Sequence, residues 1–137
     1  MTSALADTNL FIRFLTRDHE DMYQRSAKVF AETRDKKIRL VVPHVVIAQV
    51  IYVLRSPNLY NLSRTDIVGR LSPLLQLAGI NVEQRAVVLD ALDLFATANK
   101  DLVDAWLIAK ARHGKVKAIC SFDEGYKNVL GVKWLEP

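Results

Sequence analysis

Apolar positions along this chain fall into alternating short and long segments, the layout of an α/β protein. Ala4-Leu5-Ala6 reads as a short buried strand. A helix over Leu10–Leu15 follows, entered through the cap-type residues Asp7, Thr8 and Asn9. Asp21–Lys36 has a helical repeat, with Met22, Ala27, Val29 and Phe30 among its apolar positions. Ile38–Val42 is β-branched and stops at Pro43, as a strand would. Val45–Leu54 combines the β-branched content of a strand with the length of a helix, and its place after a strand assigns it to a buried helix.

Ser63-Arg64-Thr65-Asp66 resembles a capping box and opens another helix, which Pro73 is set to kink or end. Ile80–Val82 is a weak strand and Gln84–Ala98 a helix. Asp101–Arg112 is a further helix, with Asp101 as candidate N-cap and Gly114 as stop signal. Lys117–Ser121 is a strand, Asp123 precedes a short helix that ends before Gly131, and Val132–Leu135 is the last strand. The pattern predicts five short strands and about seven helices, with no repeat, low-complexity tract or linker. A length of 137 residues suits a single domain over 1–137.

Composition narrows the class without naming a function. Half the residues are hydrophobic and 25% are charged, so a packed core is expected rather than disorder. A net charge of +4 is compatible with a polyanionic partner but equally with a merely basic protein. Cys120 is the single cysteine, which excludes an intrachain disulfide and a cysteine zinc site, and its apolar neighbours suggest a buried, inert thiol. No secretion signal is read at the N-terminus, and the apolar run Leu40–Leu54 is too short and too polar to span a membrane. A reducing cytoplasm is the expected location.

The placement of carboxylates changes the picture. Asp7 directly follows the first strand and Asp123 the fourth, while Asp101 and Asp104 open the helix before that fourth strand. Ligands of open α/β sheets bind outside the carboxyl ends of the strands, so distant segments can deliver acids to one rim. Clustered carboxylates repel one another, and a divalent cation relieves that repulsion. Hard oxygen ligands suit Mg²⁺ or Mn²⁺. Each acid also has a plainer reading as a helix cap or a partner of the helix dipole, and capping is the preferred one for Asp101.

The stretch Ala6-Asp7-Thr8-Asn9-Leu10-Phe11-Ile12-Arg13-Phe14-Leu15 is similar to the opening of VapC-type PIN domains. Asp101-Leu102-Val103-Asp104-Ala105 resembles the helix that carries that family's third acid, and Ser121-Phe122-Asp123 its late strand-end acid. Val42-Pro43 and the following helix to Ser56 match the segment that holds the second acid. The resemblance covers nearly the whole chain. It implies a three-layer α/β/α sandwich around a central five-stranded parallel sheet. It also implies Mg²⁺- or Mn²⁺-dependent endoribonuclease activity, a homodimer, and restraint by a VapB-like antitoxin.

One departure stands out: the family pattern has Glu where this chain has Gln49. Gln is nearly isosteric with Glu but neutral, and its NH₂ points badly at a metal. Two functional readings stay open, a weakened or silent site and a change made to disable a toxic enzyme. The plain reading is a buried Gln satisfied by backbone groups. The expected site is therefore Asp7, Gln49, Asp104 and Asp123, with Asp7 and Asp104 as direct metal ligands and Asp123 acting directly or through water. Thr8, Asn9, Asp101 and Ser121 are candidates to orient carboxylates or a phosphate.

Arg13 and Arg112 are candidate contacts to the RNA backbone, with a solvated helix surface as their plain role. Tyr52 and Tyr60 suit base stacking, though packing is the expected role of both. His19, His44 and His113 lack ligand spacing and are expected to be surface or structural. Two rivals remain. One is a PIN fold that binds RNA or protein without cutting. The other is a haloacid-dehalogenase-type phosphotransferase, which wants a second Asp where this chain has Asn9. No dinucleotide fingerprint or P-loop is present.

Overall fold

In the computed structural model, which describes Met1–Pro137, strands and helices alternate. The order is β1 (Thr2–Leu5), α1 (Thr8–Thr16), α2 (Glu20–Arg34), β2 (Ile38–Val41), α3 (His44–Arg55), α4 (Arg64–Leu75), β3 (Ile80–Asn81), α5 (Arg85–Thr97), α6 (Leu102–His113), β4 (Ala118–Cys120), a 3-10 turn (Glu124–Tyr126) and β5 (Lys133–Leu135). The chain forms two compact units, Met1–Glu83 and Gln84–Pro137.

The first unit holds a parallel sheet in the order β1-β2-β3. Thr2 pairs with Ile38 and Leu5 with Val41, while Leu40 pairs with Ile80. Gly79 sets the entry to β3: its N–H donates to Thr33 O at 3.0 Å and its carbonyl accepts from Leu40 N at 3.0 Å. A Cβ there would run into the carbonyl oxygens of Thr33 and Ile38, so only glycine fits this approach. Around the sheet, Phe11 and Phe14 of α1 pack on Phe30 of α2 with ring centroids 5.3 and 5.0 Å apart. Leu54, Ile67, Leu71 and Leu75 are fully buried along α3 and α4. Each such side chain contributes roughly 1.5–3 kcal/mol relative to exposure. Ser63 caps α4 as its pattern predicts, accepting from Asp66 N at 3.1 Å, and Pro73 lies in the last turn of that helix.

In the second unit, α5 and α6 pack against each other, and Val88, Ala91 and Leu92 of α5 and Ala105, Ile108 and Ala109 of α6 are all buried. All three alanines of α6, Ala105, Ala109 and Ala111, are buried, which keeps the buried face of that helix small. Strands β4 and β5 pair in parallel, Ala118 with Lys133 and Cys120 with Leu135.

Several expectations need correction. All five strands are present and parallel, but they form one three-stranded and one two-stranded sheet rather than a single five-stranded one. Hydrophobic alternation marks a strand and says nothing about which ladder it joins, and β3, β4 and β5 have only two or three residues each. The first strand is not buried: Thr2–Leu5 is exposed throughout, Leu5 at 75%, because side chains cover neither face of this edge strand. Cys120 is exposed as well, since side chains alternate along β4 and Ile119 takes the inward position.

Candidate functional site

Asp7 stands between β1 and α1 as the N-cap of α1, with extended backbone at φ −94 and ψ 158. Its backbone oxygen accepts from Leu10 N at 3.2 Å, yet its side chain makes no capping hydrogen bond and is exposed. The capping role therefore does not account for this carboxylate. Asp7, Asn9 and Arg13 line a shallow cavity of about 340 Å³ with Met22, Arg25 and Ser26 of α2. Thr8, the first residue of α1, is half-buried.

Arg13 is already engaged. Its Nη1 donates to Asp18 Oδ2 at 2.8 Å, and the Tyr60 hydroxyl donates to the same oxygen at 2.5 Å. These bonds, Tyr60's the larger, hold the Asp18 carboxyl below its usual range, and the same bond raises Tyr60. Tyr60 is thus structural, as expected. Tyr52 is not: it is 69% exposed, on the face of α3 that also carries Gln49 and Val45. Gln49 itself is exposed, which overturns the reading of a buried Gln satisfied by the backbone.

The second unit brings two acids to one turn. Asp104 lies in the first turn of α6, and its Oδ1 accepts from the Tyr126 hydroxyl at 2.7 Å. Asp123 is the N-cap of the 3-10 turn that contains Tyr126, and its Oδ1 accepts from Gly125 N at 2.7 Å. A Cβ on Gly125 would stand 3.0 Å from that oxygen, so glycine keeps the approach open. Ser121 Oγ accepts from Asp123 N at 3.0 Å, and Ser121 O accepts from Trp134 Nε1 at 2.8 Å, tying the acid's backbone to β5. Lys100 Nζ donates to Gly125 O at 3.2 Å.

Burial foremost, then the Asp104 hydrogen bond and the Asp104 and Asp123 charges, push the Tyr126 hydroxyl well above the usual tyrosine range. It therefore remains a donor. Tyr126 and Lys100 were not among the residues singled out from sequence. The available signal was a tyrosine three residues after a strand-end acid, with glycine between them.

Asp101 occupies the N-cap of α6 but its side chain makes no capping bond, which corrects its expected role. Arg112 is held within the unit: Nε donates to Leu130 O at 3.4 Å and Nη1 lies 3.7 Å from Asp90. His113 also meets Asp90, at 3.1 Å. His19 caps α2 by accepting from Met22 N, and His44 Nε2 lies 2.6 Å from Glu83 O. All three histidines are structural, as their spacing suggests.

No group of three or more His, Cys, Asp or Glu side chains is arranged to hold a metal ion. The acids divide between the units, Asp7 in the first, Asp104 and Asp123 in the second. The donor chemistry does fit Mg²⁺ or Mn²⁺, since all are carboxylates. Asp104 and Asp123 each have one oxygen fixed by a hydrogen bond, which orients the second as outer-sphere partners orient metal ligands. No helix is long and apolar enough to cross a membrane.

The family model described as PIN domain matches residues 4–131, running through both units. A VapC ribonuclease of Aquifex aeolicus (strain VF5) is 28% identical over 133 residues, covering 97% of this chain and 96% of that protein.

Proposed function

Since the chain belongs to the PIN-domain family, we propose that it is a divalent-metal-dependent endoribonuclease, the toxin of a VapBC-like toxin–antitoxin pair. What carries the reading is the likeness to a VapC ribonuclease along nearly the whole of both chains. Support comes from two oriented carboxylates, Asp104 on α6, held by the Tyr126 hydroxyl, and Asp123, which caps the turn that carries Tyr126. The proposal treats 1–137 as one PIN domain. Its partners are RNA, a VapB-like antitoxin and a second copy of the chain, in a reducing cytoplasm.

Asp7, Asp104 and Asp123 are the proposed holders of Mg²⁺ or Mn²⁺. When bound, such an ion supplies Lewis acidity to a phosphodiester and to the attacking water. The chain's own contribution is orientation. Tyr126 and Gly125 each fix one carboxylate oxygen, and Ser121 anchors the backbone of Asp123. Asp7 keeps both oxygens clear of any capping bond. Gln49, exposed on α3, stands at the position where the family pattern has an acid, and its neutrality lowers the site's negative charge. Arg13 and Arg112 are weaker candidates for RNA contact, because each already has an acidic partner.

The test is RNA cleavage in Mn²⁺ by the parent, Asp7→Ala and Gln49→Glu. Loss with the first and a gain of about tenfold with the second are expected, tenfold being about 1.4 kcal/mol of barrier. Full activity in Asp7→Ala would reject the site. A second reading, a PIN fold that binds RNA or protein without cutting, is favoured by the neutral Gln49. Binding by the parent without Mn²⁺-dependent turnover, even in Gln49→Glu, would select it.

A further inference from the structure

Tyr126 is only 4% exposed, although it lies in a three-residue turn whose other members are exposed. A buried phenol must find a partner for its hydroxyl. Many backbone carbonyls would serve, yet this one donates to a carboxylate 22 residues earlier in the chain, Asp104 Oδ1, at 2.7 Å. A neutral donor on a carboxylate makes a charge-assisted bond, stronger than a neutral pair and more directional than solvation. The same turn holds Asp123 through Gly125 N.

We propose that Tyr126 is a positioning residue, whose hydroxyl sets the orientation of the Asp104 carboxylate on α6 and so registers it against the 3-10 turn that Asp123 caps. The inference rests on the reading of these acids as cation ligands and names what holds them in place. Without the hydroxyl, Asp104 is free to rotate about its side-chain torsions, and its second oxygen is no longer presented in one direction. The Asp123 side of the turn stays anchored by Gly125 and Ser121, so the damage falls on the relation between the two acids.

The experiment measures Mn²⁺ affinity calorimetrically on the full chain, with thermal unfolding in a chelator as the check on folding. The parent, Tyr126→Phe, Tyr126→Leu, Asp104→Asn and the double variant Tyr126→Phe/Asp104→Asn are compared. Loss of an outer-sphere partner typically weakens metal binding about 10–100-fold. That loss is expected in both Tyr126 variants, with cooperative unfolding retained, and Tyr126→Phe adds nothing once Asp104 is Asn. In RNA cleavage the kcat of Tyr126→Phe falls while KM holds.

Parent affinity in Tyr126→Phe beside a loss in Asp104→Asn overturns the positioning role and leaves the site reading standing. Loss in Tyr126→Leu alone assigns packing, not the hydroxyl, and overturns it too. So does a Tyr126→Phe that no longer folds, since the bond then serves stability. Parent affinity in Asp104→Asn, or no Mn²⁺ binding by the parent and by Gln49→Glu, removes the site reading itself and this inference with it.

Discussion

Two strand-to-helix junctions in this molecule are built from the same part and use it differently. At the end of β1 and at the end of β4, an aspartate follows the strand and takes an extended N-cap backbone, Asp7 at φ −94 and Asp123 at φ −79. Asp123 behaves as a cap, with Oδ1 on Gly125 N, whereas Asp7 offers its helix no side-chain bond at all. An aspartate at an N-cap is worth about 1 kcal/mol to a helix when it caps. Asp7 forgoes that contribution at the head of a nine-residue helix, where it would be useful. The Asp7 carboxylate, exposed and outside any capping bond, is thus open to the ligand role proposed above. The junction in the second unit shows the complementary arrangement, in which Asp123 caps through Oδ1 and leaves Oδ2 outside that capping bond.

The largest effect should come from breaking the first junction. Asp7→Ala is expected to lower Mn²⁺-dependent RNA cleavage on the order of 10²-fold or more, the scale of removing a metal-stabilised charge. Its stability should stay within about 0.5 kcal/mol of the parent, the range of surface substitutions that remove no cap. Urea unfolding beside the cleavage assay checks both halves. A stability loss as large as that of an ordinary cap would mean that Asp7 is structural after all.

The second junction should fail in two ways at once. Asp123→Ala is expected to cost about 1 kcal/mol from the lost cap as well as activity, about tenfold if the residue acts through water. Asp123→Ser separates the two, because serine also caps: unfolding should return to the parent midpoint while cleavage stays low. If serine rescues cleavage too, the carboxylate has no role beyond the turn.

Most of the elements were legible because each carries its own local signal. The boundaries of α2, α3, α5 and α6 follow from apolar periodicity and fall within a residue or two of the pattern. Ser63 is a cap in sequence and in space. Strand pairing was not legible, because alternation encodes a face and not a neighbour; hence the division into β1-β2-β3 and β4-β5. The exposure of Cys120 and Leu5 escaped for the same reason, since burial of a short strand depends on what covers it.

Within the candidate site, the acids could be picked out by their position at junctions, but their partners could not. The Tyr126–Asp104 bond and the Arg112–Asp90 pair each join residues about twenty apart, with no periodic relation between them. Arg13 illustrates the limit well. Its place six residues after Asp7 suggests a phosphate contact, while its Asp18 partner lies just past the other end of the same helix.

That far end of α1 yields the smallest effect. Asp18 is one-third exposed, with a side-chain accessibility of 33%, and its carboxyl is lowered chiefly by the Tyr60 hydroxyl and secondarily by Arg13 and Thr16. A carboxyl that is lowered in the folded chain binds fewer protons there than in the unfolded chain. Its contribution is therefore complete above the ordinary carboxylate range and is lost as pH falls through the folded value. Tyr60→Phe removes the main cause, so Asp18 should titrate closer to its ordinary value. The variant should be less stable at pH 7 by about 1 kcal/mol or less, given solvent screening at this exposure. The gap should close at acid pH, where Asp18 is protonated in both proteins. Urea unfolding at neutral and acid pH, with carboxyl NMR of Asp18, measures it. A gap that persists unchanged below the carboxylate range would trace the loss to Tyr60 packing and not to its bond with Asp18. In contrast to Asp7, Asp18 would then contribute nothing by its charge.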